Sequence, residues 1–385
     1  MPAEGFSPAG AATQLSIWVA DQDGVSHPAP KAKEVSVRSF RLHGVAAYGI
    51  VLALGGLALA SPPEGGYHLL NKYELGAAPG GQEYWDYITF DAATRRLYIS
   101  HNTEVKVVDA DSGAVVGSIP DLKRVHGIAL ASDLGRGFIS DGGADEAVVF
   151  DLKTLQVTSH IKTGGNPDCI IYDPASKHIF TMNGKTNDSS VIDPASLTVV
   201  ATISMGGRPE YAVADGKGMI YDNIEDKNEV VALDSRANAI KARWPIAPAG
   251  QATALDMDVQ HKRLFIGGRN QILAIMDAEN GKVLQTFPIG SGVDTNIFEP
   301  KSGLLFTATR EGTLHVFHED RADKFRVVET VKTEFGARNM ALDPKTHKLF
   351  IDTADFAPAA APTPDQPKPQ PTPTSGTFRL LIYGR

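Results

Sequence analysis

The sequence is poor in cysteine, the residue that forms the disulfides or binds the metals of many small exported domains. Its 385 residues include one cysteine, Cys169. A single thiol excludes an intrachain disulfide and every Cys-x-x-Cys metal or haem motif. Because Cys169 opens the apolar, strand-like run CIIY, it is predicted to be a small buried hydrophobe rather than a nucleophile. The fold must therefore depend on a hydrophobic core, and a 42% hydrophobic composition is sufficient for one.

Positive charge is also scarce, and no apolar run is long enough to cross a membrane. The formal net charge is −8, which argues against a nucleic-acid partner because such grooves need a basic stripe. The most apolar run, residues 45–60, has 16 uncharged residues, whereas a membrane-spanning helix needs about 20. It follows a basic segment at 31–42 and ends in Ala58-Leu59-Ala60, a small-x-small cleavage pattern.

Residues 1–60 are therefore predicted to be an N-terminal extension plus a signal peptide, with the apolar run at 45–60. This predicts an exported protein, either periplasmic or secreted, without a transmembrane domain in its mature form. An uncleaved N-terminal membrane anchor is the alternative.

The sequence also lacks the periodicity of α-helices. It has instead a repeat of about 42 residues. Strand-like runs such as RLYIS, HIFTM and KLFID recur with one aromatic residue each. These residues are Tyr98, Phe138, Phe180, Tyr221, Phe265, Phe306 and Phe350, spaced 40, 42, 41, 44, 41 and 44 residues apart. A second marker recurs downstream as Asp109, Asp151, Asp193, Asp234 and Asp277. Seven units of about 40 residues indicate a radially repeated β fold.

Each unit contains four short strand-like segments, as in CIIYD, HIFTM, SSVID and LTVVATIS. The predicted fold over residues 66–385 is all-β, a seven-bladed β-propeller with four-stranded antiparallel blades. The last unit supplies three strands, so the N-terminal segment GYHLLNKYEL is predicted to close the last blade. Residues 354–376 form a Pro-rich loop insertion in that blade, either inert or a flap or docking strip for a partner.

The repeat resembles the YVTN-repeat, YncE-like family of seven-bladed propellers. The resemblance is carried by DPASKHIFTMNG and SSVIDPASLTVVATISMGG and covers roughly residues 66–385. It implies that ligands bind over the central channel, but it does not imply one function, because these propellers serve many roles.

The DPAS pairs at Asp173 and Asp193 have the composition of turns, in which Asp accepts backbone N–H groups and Pro fixes φ. Residues that open the first strands must then lie on the opposite face. Counting back from the repeat aromatic, by 12 residues or by 11 in the fourth unit, predicts a ring of ligand-binding residues. The ring consists of Asp86, His126, Asp168, Glu210, Thr253, Asp294 and Arg338, with Asn339 beside it.

Four converging carboxylates repel one another unless a cation, shared protons or Arg338 offsets them. Asp86, Asp168, Glu210 and Asp294 are thus candidate ligands for a divalent metal, Ca or Mg, although no motif requires one. The other interpretation is a polar lining of a water-filled pore.

Three functions remain open from the sequence. The first is a monomeric, non-catalytic propeller that binds a small ligand or an envelope protein partner at the mouth. The second is a lactonase-like hydrolase, in which His126 with Asp168 or Glu210 acts as general base. The third, suggested by related propellers, is an accessory subunit of a periplasmic redox system.

Overall fold

The computed structural model describes residues 65–363 and 368–385. These residues form seven four-stranded antiparallel sheets and one two-stranded hairpin. The first strands of successive sheets contact one another in order, and the first strand of the last sheet contacts that of the first sheet. The predicted seven-bladed propeller is thereby confirmed.

The predicted signal peptide lies outside the described residues. Within the described ranges, no helix is long and apolar enough to span a membrane.

The strands follow the repeat. Strand β1 spans His68–Glu74. Blade 1 has β2 (Ile88–Asp91), β3 (Arg96–His101), β4 (Glu104–Asp109) and β5 (Val115–Ile119). Blade 2 has β6 (Val125–Ala131), β7 (Arg136–Asp141), β8 (Glu146–Asp151) and β9 (Val157–Lys162). Blade 3 has β10 (Pro167–Asp173), β11 (His178–Asn183), β12 (Asp188–Asp193) and β13 (Thr198–Ser204). Blade 4 has β14 (Pro209–Ala214), β15 (Met219–Ile224), β16 (Glu229–Asp234) and β17 (Ala239–Pro245).

Blade 5 has β18 (Ala252–Asp258), β19 (Arg263–Gly268), β20 (Ile272–Asp277) and β21 (Val283–Pro288). Blade 6 has β22 (Val293–Glu299), β23 (Leu304–Thr309), β24 (Thr313–Arg321) and β25 (Lys324–Lys332). Blade 7 has β26 (Met340–Asp343), β27 (Lys348–Thr353) and β30 (Arg379–Gly384), with the hairpin β28 (Phe356–Ala357) and β29 (Thr372–Pro373) between the last two. Short 3₁₀ helices span Ser132–Leu134, Gly142–Ala144 and Glu225–Lys227.

The N-terminal strand closes the ring, as the incomplete last repeat predicts. Strand β1 pairs antiparallel with β30, and the sheet order in blade 7 is β1-β30-β27-β26. Just before β1, the buried ring of Tyr67 packs edge-on against Phe306 of blade 6, with the centroids 5.1 Å apart. The two ends of the propeller are thus hydrogen-bonded into one blade.

The repeat aromatics form the core between blades. All seven are buried. Tyr98 packs against Phe150 of the next blade at a centroid distance of 5.7 Å. Phe350 of blade 7 packs against Phe90 of blade 1, also at 5.7 Å. Burying such a ring contributes about 3–5 kcal/mol relative to alanine. Since each ring contacts a neighbouring sheet, the aromatic repeat joins the blades as well as filling them.

The Asp-Pro pairs are turns. The Asp173 carboxylate accepts hydrogen bonds from the backbone N–H groups of Ala175 and Ser176, at 3.3 and 2.9 Å. Asp193 binds the N–H groups of Ala195 and Ser196 in the same way. Both carboxylates accept backbone hydrogen bonds within turns, so their role is structural. The predicted turn role is confirmed.

The opposite end of each first strand carries a local irregularity that positions the site. In blades 2 to 6 the pairing of the first and second strands shifts register near the start of the first strand. The shifts enclose residues 126, 168, 210, 253 and 294. A β-bulge releases one residue from the ladder and re-aims its side chain. The predicted ring positions are these released residues.

Candidate ligand site at the channel mouth

The predicted ring residues line one cavity of about 520 Å³ at the end of the channel where the first strands begin. The lining includes Asp86, His126, Asp168, Glu210, Thr253, Asp294, Arg338 and Asn339. In blades 1 and 7 the ring residues, Asp86 and Arg338, precede the first strand rather than lying within it. Counting from the repeat aromatics therefore places all of these side chains correctly around one space.

Three ring residues form a compact cluster in that cavity. The Nδ1 atom of buried His126 lies 2.7 Å from Asp86 Oδ2 and 3.4 Å from Asp168 Oδ1. The hydroxyl of Tyr84 lies 2.9 Å from the same Nδ1 and donates to Asp86 Oδ2 at 3.1 Å. Blades 1, 2 and 3 thus each direct one ionisable ring residue to a single point.

The pKa values of the three ring residues in this cluster are strongly shifted from their usual ranges. Burial lowers the pKa of His126, but Asp168 and Asp86 outweigh burial and raise it to about 9. Burial raises the pKa of Asp86, yet the hydrogen bond and charge of His126 reverse the effect and hold it below its usual range. Burial raises the pKa of Asp168 to about 7, with His126 opposing the rise and Asp86 adding to it. The two carboxyls therefore favour the protonated form of His126.

The other ring acids face arginines. Asp294 Oδ2 accepts from Arg338 Nε at 2.9 Å, and burial keeps its pKa raised even though Arg338 opposes the rise. Glu210 Oε1 is 3.8 Å from Arg269. Burial, with the charges of Asp168 and Asp294, raises the pKa of Glu210 to about 8. These two carboxyls lie apart from the His126 cluster, so the ring does not gather all four predicted metal ligands at one point.

The two uncharged members of the predicted set differ in whether their polar groups are already hydrogen-bonded. Thr253 donates its hydroxyl to the backbone carbonyl of Val293 at 2.6 Å, which commits that proton to the scaffold. Asn339 is buried, and its Nδ2 group has no hydrogen-bond partner among the described residues.

The charges are partly layered: the carboxyls lie inside together with His126 and Arg338, and the other bases lie further out. The side chains of Asp86, Glu210 and Asp294 are 16–19% exposed. Those of Arg208 and Arg269 are 45% and 49% exposed. Further bases at the rim are Lys185, which lines the cavity, and Arg124, whose guanidinium lies 4.8 Å above the ring of Tyr84. A ligand that matched this field would carry positive charge inward and negative charge outward.

The counting missed a second tier of cavity residues. Tyr84, Arg124, Asn166 and Arg208 all line the cavity, and each lies two positions before a ring residue. The segments that carry them are not extended strands, since Arg124 and Asn166 have φ angles of 55° and 51°. The signal in the sequence is therefore only the shared offset of two residues before Asp86, His126, Asp168 and Glu210.

A tyrosine pair marks the inner end of the cavity. The rings of Tyr87 and Tyr211, from blades 1 and 4, stack across the channel with centroids 5.3 Å apart. The Tyr87 hydroxyl donates to the backbone carbonyl of Glu210 at 3.3 Å. Tyr211 lines the mouth cavity and also cavities further along the channel. The pair thus forms an aromatic floor beneath the charged residues.

Two groups of His, Asp and Glu side chains among the described residues have donor atoms close enough to share a metal ion. One is Asp86, His126 and Asp168 at the mouth. The other is Asp258, His261 and Glu319, at the turn end of blades 5 and 6. Both groups pair one imidazole with two carboxylates, a mixed nitrogen and oxygen set.

Comparison with known proteins supports the fold. One chain of a mitotic checkpoint complex matches with a TM-score of 0.66 and 14% identity, covering 91% of this chain and 99% of that one. Hydrazine synthase of Kuenenia stuttgartiensis matches with a TM-score of 0.61 and 17% identity, covering 69% of this chain and 91% of the other. At these identities the likeness extends to the propeller architecture alone. No family model and no curated protein sequence matches the chain.

Proposed function

We propose that this chain is a non-catalytic, YncE-like propeller that binds a small polar ligand at its channel mouth. The ligand places a positively charged group among the buried carboxyls and a negatively charged group against the basic rim. The observation that carries the proposal is the distribution of charge in one cavity of about 520 Å³, with four carboxyls inside and Arg208 and Arg269 at the rim. That volume lies within the range of about 300–1,000 Å³ typical of small-molecule sites.

The alternative of a merely solvated pore accounts less well for these carboxyls. Burial of a carboxylate costs free energy unless a partner compensates for it. Asp168 and Glu210 keep raised pKa values, about 7 and about 8, because burial and the charges of neighbouring carboxyls are incompletely offset. A bound cationic group would supply the missing compensation.

The proposal is tested by isothermal titration with three probes of similar length: lysine, butane-1,4-diamine and glutarate. We expect the affinity to fall in that order, since lysine satisfies both layers, the diamine only the inner one and glutarate only the rim. The variant Asp294→Asn should weaken lysine and diamine binding without affecting thermal unfolding by more than a few degrees. The titration uses the chain freed of metal by a chelator. Tightest binding by glutarate, or no saturable binding across a wider panel of amphoteric compounds, would then contradict the proposal.

Hydrolysis at the same mouth is a second candidate function, because two acids there, Asp168 and Glu210, have pKa values of about 7 and about 8. A general base works best with a pKa close to the operating pH, and the pKa of Glu210 is about 8. His126 is less suited to that role, since its pKa of about 9 keeps it protonated. A lactone and ester panel tests this function, and turnover that Glu210→Gln abolishes would favour the hydrolase over the binding module.

Export and cleavage near residue 60 are part of the proposal and rest on the basic segment at 31–42 and the apolar run at 45–60. N-terminal sequencing of the native protein from separated cell fractions tests both. An intact N-terminus in a cytoplasmic fraction would contradict export. An envelope protein partner is the remaining alternative, and pull-downs with and without residues 356–375 test whether the Pro-rich insertion recruits one.

A further inference from the structure

Three oxygen atoms surround Nδ1 of His126, although this nitrogen can donate only one hydrogen bond at a time. Asp86 Oδ2 lies 2.7 Å, the Tyr84 hydroxyl 2.9 Å and Asp168 Oδ1 3.4 Å from Nδ1. A ring nitrogen carries at most one proton, so it donates one hydrogen bond at a time. Three oxygens converging on a single nitrogen form an arrangement that a metal ion, accepting several donors at once, satisfies better than one proton.

The far side of the imidazole supports the same reading. His126 is buried, and its Nε2 has no hydrogen-bond partner among the residues described. A Cβ built on Gly142 would lie 2.8 Å from this Nε2 and 3.1 Å from Asn166 Oδ1. Glycine at residue 142 therefore allows the backbone to pack directly against Nε2 and this amide oxygen. Metal-bound histidines carry a proton on their second nitrogen, and a proton on Nε2 leaves Nδ1 free to bind a metal.

The donor chemistry distinguishes among metals. Imidazole nitrogen with two carboxylates suits borderline ions such as Zn²⁺ or Mn²⁺, whereas Ca²⁺ and Mg²⁺ favour all-oxygen sets. We infer that Asp86, His126 and Asp168 bind a divalent transition-metal ion. This inference rests on the proposed function, in which a positively charged group lies among the buried carboxyls, and it identifies that group as the metal. Glu210 and Asp294 are excluded from the metal's ligands because Arg269 and Arg338 face them.

The metal keeps an open side toward the cavity. The three ligands come from blades 1, 2 and 3, whereas the cavity extends across to residues of blades 4 to 7. Arg208 and Arg269 lie at the rim of that open part. An anionic small molecule, such as a carboxylate, would bind the metal with one group and the rim arginines with another. The second cluster lacks this setting, since His261 is 38% exposed and lines none of the cavities described above.

The test uses the untagged full chain, freed of metal by a chelator and titrated with Zn²⁺ in a calorimeter. Co²⁺ is added in parallel, because its visible absorption reports the coordinating atoms. We expect one Zn²⁺ per chain, with the affinity lowered at least about tenfold by His126→Gln and by Asp168→Asn. The matched control is His261→Gln, which removes the same residue type from the other cluster and should leave the mouth affinity within about twofold.

Three results would overturn the inference. The first is the absence of saturable Zn²⁺ binding. The second is Zn²⁺ binding that His261→Gln removes and His126→Gln does not. The third is a Co²⁺ spectrum that His126→Gln leaves unchanged. Circular dichroism of each variant shows that a loss is not a failure to fold. If Zn²⁺ fails while lysine still binds the metal-free chain, the metal inference is wrong and the proposed function stands. If both fail, the proposed function is wrong as well.

Discussion

At the scale of single residues, Gly142 is decisive because it leaves room for His126. An added Cβ would lie 2.6 Å from Cδ2 of that imidazole, closer than real Cβ contacts come. We expect Gly142→Ala to displace the ring and to weaken Zn²⁺ binding roughly tenfold, as loss of outer-shell support does in other metal sites. The same calorimetric titration measures it.

Gly250→Ala is the matched control, since a Cβ there meets its nearest atoms at an ordinary 3.4 Å or more. Equal affinities for the two alanine variants would contradict the assigned role of Gly142.

Glu210 makes ligand affinity depend on pH. Burial and the charges of Asp168 and Asp294 raise its pKa to about 8, against the opposing charges of Arg269 and Arg208. A cationic ligand favours the ionised carboxylate, so binding releases a proton and affinity rises as pH increases through 8. Between pH 7 and 8.5 we expect a gain of roughly tenfold for butane-1,4-diamine.

Calorimetry of wild type and Glu210→Gln at both pH values measures this effect. The variant should lose most of the gain and keep the smaller part that Asp168 contributes through its pKa of about 7. An affinity that falls as pH rises would instead indicate an anionic ligand.

At the scale of elements, the seam between blades 7 and 1 depends on a buried ion pair. Asp343, at the end of β26, accepts from Arg95 in the first turn of blade 1 at 2.8 Å. Burial raises the pKa of Asp343, but hydrogen bonds from Arg95 and Thr346 outweigh burial and lower it to about 2. Such a lowered pKa stabilises the fold above the unfolded value of about 4, and this stabilisation is lost as pH falls toward 2.

We therefore expect Asp343→Asn to reduce the free energy of unfolding by about 1–3 kcal/mol at pH 7, and by much less at pH 2.5. Urea unfolding at the two pH values measures the difference. Asp111→Asn is the control, because Asp111 binds the same Arg95 but is 61% exposed, and an exposed pair contributes at most about 1 kcal/mol. A larger loss in Asp111→Asn would contradict the assignment of the seam to Asp343.

The insertion in blade 7 is tied down at its base. Gly376 N–H donates to Glu83 Oε1 at 3.1 Å, and the Glu83 Oε2 atom lies 2.6 Å from Nε2 of buried His101. His101 stacks on Phe378 with the centroids 4.1 Å apart. His101, at the end of β3, thus connects Glu83 with Phe378, the residue before β30.

At the scale of the whole molecule, β1 joins the two ends of the propeller, and we expect the closed ring to unfold as one cooperative unit. A chain starting at residue 61 retains β1, whereas a chain starting at residue 76 loses β1 and Tyr67. The longer variant should unfold at the temperature of the full chain. The shorter one should melt roughly 10 °C lower and aggregate, because β30 becomes an unpaired edge strand and the ring of Phe306 loses its partner.

Scanning calorimetry and size-exclusion chromatography compare the truncations. Equal melting temperatures would show that β1 is dispensable for closure.

The sequence predicts most of the fold and the outline of the site, but not the site's internal pairing. The aromatic repeat predicts seven blades, and counting from Phe180 locates Asp168 in the mouth. It does not reveal that Asp168 shares His126 with Asp86 while Asp294 turns to Arg338. That choice depends on how each bulge rotates its side chain, and a bulge is set by pairing between strands rather than by residue spacing.

The bulges also divide the tasks within a blade. In blades 2 to 6 each register shift leaves a residue at the mouth outside the strand pairing, while the repeat aromatics stay buried between the sheets. A substitution at one of these five positions should therefore change the chemistry of the cavity without removing a ladder hydrogen bond or a core ring. The mouth can thus be redesigned one blade at a time on an unchanged frame.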